Sequence, residues 1–189
     1  MKKKLKANPY LVPMPVQMLA TYNEDGSVDL MNAAWGGILD YDVLVLSLDE
    51  SHKTSENIKR NKAFTLSLAN EEKIKECDFV GIVSANKDPH KFEKTGMHAS
   101  SSEVVNAPII DELPLCLECE VIKITNDDIG FLVYARIKDI LVEESALDDK
   151  GRIDSAKLNI ALFDQIGHHY YGIGKDLGQA FLIGKELIK

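Results

Sequence analysis

Two long runs of strand-forming residues around one tight turn restrict the fold of this chain more than any other feature. The runs are "LCLECEVIKI" (115–124) and "FLVYARIKDILVEE" (131–144), with "TNDDIG" between them. The pattern predicts a long antiparallel hairpin. A second hairpin is predicted in "PVQMLATYNEDGSVDLMNAAW", where "NEDG" connects two strand-like runs and ends in Gly26. "VLVLSL" (43–48) reads as a buried strand, and "AFTLSLAN" (63–70) alternates like one. The helical signals are few and short. "SHKTSENIKRN" (51–61) has Ser51 or Thr54 as its N-cap candidate, and Asn70 can cap a helix through "EEKIKECDFVGIV". "HKFEKTG" reads as one further turn closed by Gly96. Many strands with few helices imply a mainly β fold, an antiparallel barrel or sandwich with peripheral short helices.

The 189 residues are expected to form one domain, with a core over about 10–145 and a C-terminal extension over about 146–189. That extension, from "IDSAKLNIALFDQ" to "HHYYGIGKDLGQAFLIGKEL", is expected to add a short strand and a terminal helix. A net charge of -8 argues against a general nucleic-acid surface. No run approaches the roughly 20 apolar residues that a membrane helix needs. The basic "MKKKLK" is interrupted at once by Asn8 and Pro9, so it reads as a solvated tail and not as an export signal. The expected location is therefore the cytoplasm, with Cys77, Cys116 and Cys119 as free thiols. Cys116 and Cys119 form a C-x-x-C, but an offset of three along a strand puts them on opposite faces, which suits neither a disulfide nor a shared metal.

Three constellations could carry chemistry. "SLDESHKTSEN" (47–57) offers a helix N-terminus with Ser51, Lys53 and Thr54, which is either an ordinary surface cap or a phosphate seat. An anion there requires Asp49 and Glu50 to point away. "DLMNAAWGGIL" (29–39) surrounds the only tryptophan, Trp35, with small residues. In continuous strand geometry Asn32, Ala34 and Gly36 share one face and Ala33, Trp35 and Gly37 the other. Either a flat ligand approaches the backbone there, or Trp35 packs in the core over a bulge. The third is histidine. His168 and His169 adjoin Tyr170 and Tyr171, and no pair has metal-ligand spacing. "HHYYGIG" either lines a site on its own or a neighbouring subunit, or packs on the barrel. "GIGKDLG" lacks the strand–turn–helix frame of a dinucleotide fingerprint, and no catalytic acid, base or nucleophile stands out.

In this order, four segments resemble the flavin reductase-like FMN-binding split-barrel family, most closely its flavoredoxin branch. They are "MLATYNEDGSVDLMNAAWGGIL", "LVLSLDESHKTSENIKRNKAFTLSLAN", "DFVGIVSANKDPHKFEKTGM" and "NAPIIDELPLCLECEV". The resemblance implies a six-stranded antiparallel, Greek-key-like split barrel, a homodimer, and one FMN per subunit near the dimer interface. It places Asn32, Ala33, Ala34 and Trp35 along the isoalloxazine. Ser47, Ser51, Lys53 and Thr54 would take the ribityl chain and phosphate, while Gly81, Ser84 and Lys91 would close the pocket. The implied activity is an oxidoreductase that passes electrons through FMN, with NADH, NADPH or a protein as donor and a flavin, metal or protein as acceptor. Its alternatives are a non-enzymatic FMN relay and a binding module that has lost flavin. Where many members of the family carry arginines, this chain has Asp49, His52 and Lys53, and lysine lacks arginine's bidentate fork.

Overall fold

The computed structural model describes residues 1–188. A short β1 (Met14–Pro15) leads into the first hairpin, β2 (Gln17–Tyr22) and β3 (Val28–Ala33). After a bend at Ala34 come β4 (Trp35–Asp40), β5 (Val43–Leu48), α1 (Lys53–Asn61), β6 (Ala63–Leu68) and α2 (Ile74–Ile82). A single 3₁₀ turn, Glu93–Thr95, ends at Gly96 with φ 69°. It is followed by the small hairpin β7 (Ala99–Ser101) and β8 (Pro108–Ile110) and the long hairpin β9 (Leu115–Asp127) and β10 (Gly130–Val142). β11 (Leu162–Asp164) and β12 (His169–Tyr171) close the order of strands.

Seven strands form one antiparallel sheet in the order β3-β2-β6-β9-β10-β5-β4. Its two edge strands, β3 and β4, are consecutive in sequence and separated by Ala34 alone. Laid flat, a seven-stranded sheet would hold its edges roughly 28 Å apart at about 4.7 Å per gap. Two residues of chain reach only about 7 Å. The sheet must therefore curl until its edges nearly meet, which is a split barrel with the split at Ala34. Six strands were expected and seven are present, because the run from 28 to 40 breaks at this corner instead of continuing as one strand.

Strand alternation then fills two cores. Leu19, Met31, Leu46, Phe64 and Val133 point into the barrel, with Ile58 of α1 among them. Met18, Ala20 and Leu30, one residue out of phase, point outward against Cys77 and Val80 of α2. Thus β2 and β3 are covered on both faces, and α2 is fixed against β3.

Local signals resolve unevenly. Asn70 does not cap α2, whose N-cap is Lys73 with no side-chain bond; its side chain accepts the Lys73 N–H at 2.9 Å in the turn that precedes the helix. Neither Ser51 nor Thr54 caps α1; its N-cap is His52, with no side-chain bond. The tail gives two short strands, which join β1 in a separate sheet of order β1-β11-β12. The predicted terminal helix is a 3₁₀ turn over Ile183–Leu187. Cys116 pairs across the sheet with Ser67 and Cys119 with Phe64, on opposite faces, and all three thiols are free. Among the described residues no helix is long and apolar enough to cross a membrane.

Candidate functional site

The corner that closes the barrel is also where three cavities meet. A cavity of 360 Å³ lies between the corner, α2 and the β11–β12 pair. One of 570 Å³ runs along Trp35, Ser47 and the β9–β10 turn. A smaller one of 200 Å³ sits between the N-terminus of α1 and the C-terminus of α2. Asn32 lines all three, and Ala33 and Ala34 line the first two. Gly81 keeps the α2–β3 gap open, since a Cβ there would stand 3.0 Å from the Asn32 Cβ. Trp35 is half exposed on the edge strand and forms part of a cavity wall, so it is not a core residue. Gly36 has a different cause. A Cβ there would overlap Gln17 and Leu46, and the Gln17 amide donates to the Gly36 carbonyl at 3.0 Å.

At the start of α1 the first N–H groups have no intrahelical acceptor and carry the positive end of the helix dipole. Asp49 and Glu50 line the 570 Å³ cavity beside His52, the N-cap of α1, and Asp49 is engaged at one oxygen by Ser51. Its carboxylate accepts from the Ser51 N–H at 2.9 Å and the Ser51 hydroxyl at 2.8 Å, which holds its pKa below the ordinary carboxylate value. Glu50 is turned toward Lys59 and Asn126. The predicted site residues therefore part company. Lys53, Thr54, Ser84 and Lys91 line the 200 Å³ cavity, and Ser47 the 570 Å³ one. The Ser51 hydroxyl is committed to its own loop.

Two of these side chains are engaged internally. The Thr54 hydroxyl donates to Asp29 Oδ2, and Lys91 Nζ lies 3.6 Å from Asp29 Oδ1. Lys91 also donates to the Val80 and Val83 carbonyls at 3.0 and 3.1 Å, at the C-terminal end of α2. Burial pulls the pKa of this ammonium below its ordinary value, with Asp29 opposing the shift. Lys53 Nζ rests on Glu56 at 3.0 Å, on the exposed side of α1, from which it is free to swing.

Sequence reasoning missed the far wall of the 360 Å³ cavity, made by Asp78, Ile82 and Phe163. It left "HHYYGIG" between three places, and the fold brings His168 and Tyr170 to the cavity of their own chain. The agent is the β11–β12 pairing, which sets Phe163 opposite Tyr170. The Tyr170 hydroxyl donates to Asp78 Oδ1 at 2.7 Å. Partial burial, together with the bond and negative charge of Asp78, pushes the phenol up to about 12. The arrangement provides a helix N-terminus without a side-chain cap, a corner at Asn32–Ala34 lined by cavities, and a partly apolar pocket ending in an acid–phenol pair.

Comparison with known proteins agrees with this architecture. The flavin reductase-like domain matches residues 10–165 of the chain. The fold is similar to flavoredoxin of Desulfovibrio vulgaris (Miyazaki F), with a TM-score of 0.92 and 31% identity over 98% of this chain and 100% of that one. It is also similar to flavoredoxin from Methanosarcina acetivorans, with a TM-score of 0.87 and 27% identity over 98% and 100%. Among curated proteins, uncharacterized protein YdfE of Bacillus subtilis (strain 168) is 24% identical over 182 residues, 87% of this chain and 86% of that protein. With the curled sheet and the cleft at its corner, these matches show that the chain belongs to the flavin reductase-like family, on its flavoredoxin branch.

Proposed function

We propose that this flavin-related oxidoreductase works with FMN, passing electrons from NADH, NADPH or a protein carrier to a second acceptor. The observation that carries the reading is that three cavities share Asn32 in their walls, with a helix N-terminus that has no side-chain cap beside one of them. The residues present fit FMN on three counts. The start of α1 and Lys53 suit a phosphate, and one oxygen of Asp49 is already taken up by Ser51. The absence of a side chain at Gly81 leaves the strand at Asn32 approachable. Bound FMN would supply the two-electron chemistry. The chain's part is to hold the ring along Asn32, Ala33, Ala34 and Trp35, and the ribityl chain and phosphate by Ser47, Lys53 and the N–H of Thr54. Ser51 could join only by releasing Asp49. Lys91 acts from behind, fixing the end of α2 that carries Gly81, with Ser84 just beyond it.

A homodimer belongs to the same proposal. The edge strand β4 and its turn expose Trp35, Ile38, Leu39 and Tyr41, an unpaired apolar edge of the kind that proteins cover. A cytoplasmic location fits the three free thiols.

The test is FMN titration of the purified protein, followed by flavin absorbance and quenching of flavin fluorescence. Saturation near one FMN per chain is expected. Lys53→Ala should weaken binding about tenfold, the worth of one charge-assisted hydrogen bond at a partly exposed site. A protein that takes up no FMN, or a variant with unchanged affinity, would refute the cofactor or its phosphate seat respectively.

A further inference from the structure

The 360 Å³ cavity has a character of its own. Its walls are apolar, from Met14, Pro15, Val16, Ile82 and Phe163, and its polar end holds Asn32, Asp78 and Tyr170. Its volume is at the low end of ligand pockets, suited to one small ring. At the polar end the Tyr170 hydroxyl is already donating to Asp78 Oδ1. What remains for a ligand is Asp78 Oδ2 as an acceptor, beside the Asn32 side-chain amide, which offers both an acceptor and N–H donors. A carboxylate acting as acceptor next to apolar walls attracts an N–H donor and repels an anion, because an unpaired charge loses its hydration there. The remaining titratable group, His168, is exposed at the mouth, its ring 6.2 Å from that of Phe163.

We infer that this cavity binds the second reactant of the flavin site as a small planar ring bearing an uncharged N–H donor, selected by Asp78. Tyr170 is the positioning residue that fixes the Asp78 carboxylate. The sheet of β1, β11 and β12 thus brings a specificity element from the C-terminal segment to the barrel. Describing the bound ring as a reactant rests on the flavin reading; the pocket's preference does not.

Three probes of one shape test it. Benzamide carries the donor, N,N-dimethylbenzamide lacks it, and benzoate replaces it with a negative charge. Affinities are measured by ligand-observed NMR at pH 8, above the ordinary imidazole range, on the protein as purified and after saturation with FMN. Benzamide is expected to bind in both states, with the other two at least tenfold weaker. In Asp78→Asn, circular dichroism first establishing that it folds, the benzamide-to-benzoate ratio should fall below about threefold. Equal binding of the three probes, binding of none, or an unchanged ratio in the variant would overturn the assignment. So would loss of benzamide on FMN saturation, which would give the cavity to the flavin itself. FMN uptake is read separately by absorbance, so failure of the flavin reading leaves a distinct signature: selective benzamide binding by a protein that takes up no flavin.

Discussion

Replacing Lys91 with methionine keeps the apolar stem and removes the ammonium, which separates anchoring from mere packing. Lys91 is 3% exposed and Asp29 1% exposed, so neither charge has water to fall back on. The substitution deletes two bonds to the Val80 and Val83 carbonyls and leaves Asp29 facing only the Thr54 hydroxyl. Breaking a buried pair by removing one partner costs about 3–5 kcal/mol, largely the penalty of the orphaned charge. With a urea m-value of about 2 kcal/mol/M, the unfolding midpoint should fall by about 1.5–2.5 M. The assay is urea denaturation followed by far-UV circular dichroism at pH 7 without added flavin, so no ligand effect enters. Asp29→Asn in the Lys91→Met background removes the stranded charge and should recover about 1–2 kcal/mol, a coupling that only interacting residues show. A midpoint shift below about 0.5 M, or a double variant no more stable than Lys91→Met, would refute the anchoring role. Lys91 would then have to be explained by a ligand alone.

Two further outcomes follow from ionisation. Tyr170 should titrate near about 12, above the ordinary phenol value, and Tyr170→Phe should remove that step from a 295 nm absorbance titration. Because its folded pKa is raised, the stability it contributes is fully present below the ordinary phenol value of about 10. It is lost as pH climbs through the folded value, and Tyr170→Phe should flatten that loss; identical alkaline stability profiles would count against it. Burial pushes Cys77 to about 12, Cys116 to about 11 and Cys119 higher still. None should react with a disulfide reagent at pH 8 in the folded protein, and all three should after denaturation; a fast-reacting native thiol would contradict their burial.

What the sequence made legible was local. Both hairpins and the Gly96 stop each depend on residues within a few positions, so periodicity and turn chemistry suffice. The break at Ala34 has no local cause. Asn32 to Leu39 would pass for one strand, and only the need to join the two edges of a curled sheet bends it. The cap of α1 fails for a related reason. Ser51 and Thr54 are both good capping types, but Asp49 takes one hydroxyl, and Asp29, 25 residues away, takes the other. Asp78 and Tyr170 lie 92 residues apart and meet only because β11 and β12 pair. The two glycines that frame the cleft show the limit most directly. Gly81 is small because Asn32 approaches it across the gap where the cavities join, and Gly36 is small because Gln17 lies against it from inside the barrel. A glycine inside a helix or a strand, where it costs stability, announces that something comes close. Whether that something is the protein's own side chain or a ligand is decided by residues elsewhere in the chain, so the same signal pointed toward the site at one position and away from it at the other.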